Sequence, residues 1–282
     1  MTSELAVPAS TTTKIPKLIV SDLDGTFLLP DGSVSARNLA AVHAAEESGI
    51  PVVFATGRPI RFLDPVRELR RTRATVIASN GAMTYDLAED RMLSTITISH
   101  RLAADAFDSL RAELGRVAFG VDSGVTAGYE PRYLDYHGSD EFTAEPGRYV
   151  GELAELVADG DFVKLLVLRE SGDVDELAAD VARVVGDRLT ATHSTIARPL
   201  VEVSAAGVSK AAALAELCSG LGISAEDVAA FGDMPNDLEM LRWAGMPHVM
   251  ADAHPDLLDL DATVIGSNAD SAVGATIEAW LR

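Results

Sequence analysis

Short apolar runs alternate with longer stretches of helical periodicity at both ends of the chain. Lys17 to Ser21 reads as a strand buried on both faces, and it stops abruptly at Asp22, Asp24, Gly25 and Thr26. Ser35 can cap a helix running to about Ser48, with Leu39 and Val42 on its apolar face and Gly49 to stop it. Pro51 to Ala55 is a second strand, ending in Thr56-Gly57-Arg58-Pro59. A helix is expected over 60–71, then a third strand from Ala74 to Ala78, ending in Ser79-Asn80-Gly81-Ala82. Strand–helix–strand alternation implies a parallel sheet with right-handed crossovers, which puts the three polar tips on one edge.

From about residue 83 the pattern changes. Arg91 to Ile98 alternates like a strand, Leu102 to Leu114 is helical, and Val117 to Val121 with Val125 to Tyr129 can form a hairpin. Residues 130–150 are polar and irregular; Phe162 to Leu168, Val174 to Val185 and Leu189 to His193 read as strand, helix and strand. Near Leu200 the first pattern resumes: a strand at Leu200 to Val203, Gly207-Val208-Ser209-Lys210 leading into a helix through Leu221, and a buried strand at Val228 to Phe231. That strand ends in Gly232-Asp233-Met234-Pro235-Asn236-Asp237. A helix from about Leu238 to Trp243, strands near Val249 and at Thr263 to Ile265, and a terminal helix follow. The predicted fold class is α/β: a Rossmann-like parallel-sheet core, residues 17–83 and 199–282, interrupted by an α+β unit at 84–198. An insertion of roughly 110 residues is large enough to be a domain of its own. Residues 1–16, rich in Ser, Thr, Ala and Pro, read as a loose tail.

Composition narrows the function. A net charge of −20 argues against nucleic acid, whose phosphates need a basic face, but leaves room for a small anion in one locally cationic cleft. No apolar run approaches the ~18 residues that span a membrane, so no membrane partner is expected. The single cysteine, Cys218, fits a reducing cytoplasm and reads as buried filler. The chain is expected to act as a monomer or homodimer. Trp243 and Trp280 read as core; His43, His100 and His254 as surface; His137 and His193 fall in the insertion.

Four polar sets stand at strand or helix ends: Asp22 with Asp24, Thr56, Lys210, and Asp233 with Asp237. Taken alone, the first is either an acidic turn or a catalytic carboxylate pair. Together, three converging carboxylates suit a hard, oxygen-seeking cation such as Mg²⁺, and one hydroxyl and one lysine suit the oxygens of a phosphate. One carboxylate can then attack phosphorus, and a second, two residues on, can act as acid and base.

These four sets, in this order, resemble the haloacid dehalogenase-like phosphatase superfamily: D-x-D-G-T at Asp22 to Thr26, the second-strand Thr56, Lys210, and G-D-x-x-N-D at Gly232 to Asp237. Thr56-Gly57-Arg58 and Ser79-Asn80-Gly81-Ala82 resemble its Cof-like branch. The whole insertion falls between Thr56 and Lys210, where that branch carries a large C2-type cap. The chain departs from the pattern at Asp252-Ala253, at Asp270 to Val273 and at Ala211.

The resemblance implies roles. Asp22 would be nucleophile and metal ligand; Asp24 would be general acid/base, with its carbonyl also on the metal; Asp233 would be a ligand and Asp237 would orient the set from behind. Gly25, Thr26, Thr56, Gly57, Arg58, Asn80, Lys210 and Asn236 would bind phosphate or substrate. The implied activity is Mg²⁺-dependent hydrolysis of a small phosphorylated metabolite, most readily a sugar phosphate, through an aspartyl phosphate. Alternatives are a flavin or pyridoxal phosphate substrate, a sugar phosphomutase, and a non-catalytic binding module.

Overall fold

The computed structural model describes residues 14–72, 75–137, 145 and 147–282. Its larger sheet has eight strands. In spatial order they are Thr263–Val264, Met246–Val249, Val228–Gly232, Leu18–Ser21, Val52–Ala55, Thr75–Ala78, Met83–Asp86 and Arg91–Thr95. The first six pair in parallel, with Val20 beside both Ala230 and Val53 at the centre. Leu18, Ile19 and Val20 are fully buried, which explains a continuous apolar run in place of alternation. The helix Ala36–Glu47 starts where Ser35 accepts the Asn38 N–H at 3.0 Å. Asn38 also binds the Phe27 carbonyl and the Gly274 N–H, fastening this helix to the terminal helix Ala272–Trp280.

A second, six-stranded sheet runs Leu189–Thr192, Leu200–Ala205, Lys164–Arg169, Val117–Asp122, Ala127–Tyr129 and Arg148–Val150. The helices His100–Leu114 and Val174–Val185 cover one face through Phe107, Leu110, Leu177 and Val181. The helix Pro131–His137 brings Tyr133 to the other face.

Sheet pairing corrects two strand placements and adds a strand. Leu200–Ala205, expected in the core, lies inside the second sheet, where Val203 stands opposite both Leu165 and Ala191. Arg91–Thr95, expected in the insertion, and Met83–Asp86, which straddles the expected boundary at 83/84, extend the core sheet antiparallel. An apolar run records burial and not its partner, so Leu200 to Val203 carried no sign of which sheet it joins. At Met83 the cause is local. Asn80 at φ 56° and Gly81 at φ 103° reverse the chain at once, and so short a connection permits only antiparallel pairing.

Other expectations shift less. The helix over 60–71 is two 3₁₀ segments, Ile60–Phe62 and Asp64–Thr72; Pro59 and Pro65 remove N–H donors and restrict their neighbours. Residues 130–150 contain the Pro131–His137 helix and the Arg148–Val150 strand, with 138–144 and 146 outside the described residues. Of the expected tail, 1–13 lie outside the described residues, while Lys14 is tied down by Asp227 at 3.0 Å. No helix among the described residues is long and apolar enough to cross a membrane.

Candidate active site

The polar tips meet at the carboxyl ends of the parallel strands, as predicted for an open α/β sheet. Asp22 follows its strand directly and is buried. Lys210 is the first residue of the helix Lys210–Leu221 and has no exposed surface. Its ammonium sits between two carboxylates, 2.5 Å from Asp22 Oδ1 and 2.7 Å from Asp237 Oδ1. Asp237 is fully buried, and its other oxygen accepts the N–H groups of Asp233 and Met234, both at 3.1 Å. Asp237 therefore shapes the loop that presents Asp233 while it holds Lys210.

Asp22, Asp233 and Asp237 each bring a carboxylate oxygen within 4.8 Å of the other two. Both oxygens of Asp237 are already engaged, which leaves Asp22 and Asp233 as the available pair. An all-carboxylate set of this kind fits a hard cation such as Mg²⁺. Burial pushes the Asp22 carboxyl well above the usual carboxylate range; Lys210 opposes this, and Asp237 and Asp233 reinforce it. Burial, with Asp237 adding to it, raises Asp233 to about 7. For Lys210, burial disfavours the ammonium, but Asp22 and Asp237 outweigh it and hold the proton more tightly than usual. Three carboxylates around one lysine leave an excess of negative charge that a divalent cation would relieve.

Gly25 permits this crowding. Its φ is +79°, and a Cβ there would lie 2.2 Å from Asp233 Oδ2. Thr26 is fully buried, and its hydroxyl donates to Asp233 Oδ1 at 2.6 Å. That hydroxyl, expected at a phosphate, instead orients a carboxylate.

Asp24 turns outward. Its side chain is half-exposed and receives a two-pronged contact from Arg58, with Nε to Oδ2 at 2.7 Å and Nη2 to Oδ1 at 2.5 Å. Thr56 is fully buried, and its hydroxyl accepts the Arg58 N–H at 3.0 Å. Asn80 donates to Glu202 at 2.7 Å and accepts from Asn236 at 3.0 Å.

A cavity of about 420 Å³ lies between the two sheets. Asp22, Asp24, Gly57, Arg58 and Asn236 line its floor. Tyr129, Tyr133, Leu166 and Leu200 from the second sheet and its helix form an apolar wall. Lys210 and Asn80 line a second cavity behind this one.

Charges that no motif marks join the two sheets. Lys164, buried, reaches Glu202 at 2.7 Å and the Gly57 carbonyl at 2.6 Å. Arg61 reaches Asp122 at 2.7 Å and Glu145 at 2.6 Å. A signal existed in two of these positions. A lysine opening Leu165-Leu166-Val167-Leu168, and a glutamate between Val201 and Val203, are charges in buried strands and need partners.

The chain matches the haloacid dehalogenase-like hydrolase family over residues 19–277. It is 26% identical over 270 residues to the 5-amino-6-(5-phospho-D-ribitylamino)uracil phosphatase YcsE of Bacillus subtilis, covering 94% of this chain and 96% of that protein. It is 28% identical over 263 residues to an HMP-PP phosphatase of Cronobacter sakazakii, covering 92% and 94%. Among solved structures, a haloacid dehalogenase-like hydrolase from B. subtilis superposes with a TM-score of 0.77 at 28% identity, covering 93% of this chain and 99% of that one. The chain belongs to the haloacid dehalogenase-like hydrolase family, in its Cof-like branch, and is a phosphoric monoester hydrolase.

Proposed function

We propose that this protein is a Mg²⁺-dependent phosphatase of a small phosphorylated metabolite that works through a phosphoryl group carried on Asp22. The observation that supports it most is the Asp22–Lys210–Asp237 triad beside Asp233, with Asp22 at the floor of the cavity. Asp22 attacks phosphorus, and the bond from phosphorus to the leaving oxygen breaks. Asp24 gives that oxygen its proton. Asp24, then a base, takes a proton from water, which attacks the same phosphorus and frees Asp22. Lys210, Thr56, Asn236 and the backbone N–H groups near Leu23, Gly25 and Gly57 hold the phosphoryl oxygens. A Mg²⁺ ion on Asp22, Asp233 and the Asp24 carbonyl would supply positive charge against the transferring phosphoryl group.

Arg58 now has a role beyond phosphate binding. Its guanidinium holds Asp24 at the edge of the cavity, so Asp24 must exchange that partner for the leaving oxygen as substrate enters. The second sheet with its helices acts as the cap and sets the leaving group. A cavity of about 420 Å³ accommodates a sugar or a single heterocycle. Sugar phosphates are the first class to test. The wall of Tyr129, Tyr133, Leu166 and Leu200 favours a heterocyclic phosphate as the second, in keeping with the substrates named for the two curated relatives. The free, buried Cys218 accords with work in a reducing cytoplasm.

Phosphate release over a panel of sugar and heterocyclic phosphates, with Mg²⁺ and again in excess chelator, tests this reading. Release that requires Mg²⁺ is expected, and isomer formation without release would favour the mutase. With p-nitrophenyl phosphate, Asp24→Asn should accumulate one phosphoryl group on the Asp22 peptide. An adduct on Asp24, or full activity in metal-free protein, would overturn the assignment.

A further inference from the structure

Away from the Asp22 cleft, three side chains from three separate elements converge where the second sheet meets the core. Asp175 stands in the first turn of the helix Val174–Val185, held by its N–H to Asp173 Oδ1 at 2.8 Å. His193 follows the strand Leu189–Thr192 and is buried. His254 belongs to the core; its N–H donates to the Asp233 carbonyl at 2.8 Å. Read from the sequence as a surface residue, His254 keeps only 7% of its side chain exposed. His193 Nε2 is 2.8 Å from Asp175 Oδ1, and His254 Nε2 is 3.2 Å from Asp175 Oδ2. The two imidazoles meet edge to face with centroids 5.7 Å apart.

We propose that Asp175, His193 and His254 form a binding site for a divalent transition-metal ion, Zn²⁺ in the first instance, which ties the cap to the core. The ligand set carries the argument. Two imidazole nitrogens and one carboxylate are the donors that borderline-soft cations select, unlike the all-oxygen set around Asp22. One donor atom from each residue lies within 4.8 Å of the other two. Tetrahedral coordination at Zn–N and Zn–O lengths of about 2.0–2.2 Å needs donors about 3.3 Å apart, so small side-chain adjustments suffice. Asp256 supplies the outer partner. In the metal-free ring the Asp256 N–H donates to His254 Nδ1 at 3.3 Å, which puts the ring proton on Nε2, toward Asp175. Metal binding at Nε2 would move that proton to Nδ1, where Asp256 Oδ2, 3.8 Å away, is the nearest carboxylate to accept it. His193 Nδ1 is buried and has no hydrogen-bond partner, so the polar contact of this ring is made at Nε2 alone. Asp175 is half-exposed and also lines the second cavity, of about 470 Å³, which gives an ion a way in and water a fourth position.

The bound ion would span the two lobes. Asp175 and His193 belong to the second sheet and its helix, and His254 to the core beside Asp233. Occupancy would therefore favour the arrangement of cap and core that brings the three together.

Co²⁺ reports such a site directly, because imidazole ligation with low coordination gives intense visible absorption that an octahedral all-oxygen site does not. Metal-stripped full-length protein, first saturated with Mg²⁺, is titrated with Co²⁺. One equivalent should bind with that absorption, and Zn²⁺ should displace it. Asp22→Asn should retain the signal, which separates this site from the phosphatase centre. His193→Gln and Asp175→Asn should abolish it, and Asp256→Asn should weaken Co²⁺ binding about tenfold or more. Asp175 is half-exposed, so Asp175→Asn keeps the test available if the buried His193 variant does not fold. Absence of the absorption in wild-type protein, or its survival in Asp175→Asn, would overturn the proposal and leave the three residues as a hydrogen-bonded latch.

Discussion

Two buried charge assemblies, a few residues apart in space, are built on opposite rules. At the core strand tips, Asp22, Asp233 and Asp237 surround a single lysine, Lys210. At the junction with the cap, Lys164 and Glu202 match one for one, and both remaining contacts go to neutral groups, the Gly57 carbonyl and the Asn80 amide. The balanced pair needs nothing further and holds two sheets in register. The unbalanced set has carboxyls forced upward by burial and by one another, and it stays tolerable only near a cation or a proton. Imbalance therefore marks the chemistry and balance marks the architecture, although both would count equally as buried salt bridges.

The largest effect should come from the unbalanced side. Asp22→Asn removes the proposed nucleophile, so turnover should fall to background and no phosphoryl adduct should form. The folded protein should persist, because Lys210 keeps Asp237 at 2.7 Å. Steady-state rates and intact-protein mass check this, and residual turnover close to wild type would break the comparison.

On the balanced side the reading is stability. Lys164→Met strands Glu202 in a buried position, and losing one partner of such a pair costs about 3–5 kcal/mol. The double variant Lys164→Met with Glu202→Leu should recover most of that loss in urea denaturation. If the double variant is no more stable than the single one, the pair is not the unit described here.

A third measurement uses pH. Asp233, raised to about 7 against an ordinary unfolded value of about 3.9, binds a proton more tightly folded than unfolded. Its contribution to the metal-free protein is fully present below about pH 4 and is lost as pH rises through about 7. The proposed Mg²⁺ would require the ionised carboxylate, so its stabilisation should change in the opposite sense. The rise in melting temperature on adding Mg²⁺ should be larger at pH 8 than at pH 5.5. An increment independent of pH would contradict the carboxylate arrangement.

The smallest expected effect is at the rim. Arg58 and Asp24 are both partly exposed, and Arg58→Lys should change stability by no more than about 1 kcal/mol. Lysine lacks the planar fork, so Asp24 should be held less well and turnover should fall without loss of the phosphoryl adduct. Unfolding curves together with single-turnover mass spectra separate the two effects.

Apolar runs that stop at Asp22, Thr56, Asn80 and Asp233 determined the parallel sheet and the edge on which its polar tips lie, because strand burial and turn chemistry are local. The same locality made the helices at 36–47 and 174–185 legible from periodicity, the first also from its Ser35 cap. Tertiary structure decided the rest. It placed Leu200–Ala205 in the cap sheet, since strand partners are chosen at long range. It turned the Thr26 hydroxyl to Asp233 and the Asp24 carboxylate to Arg58, which spacing does not encode. It joined Lys164 to Glu202, 38 positions apart, and His254 to Asp175, 79 positions apart. A charge inside an apolar run announces that it needs a partner; only the packing of distant elements determines which partner it meets.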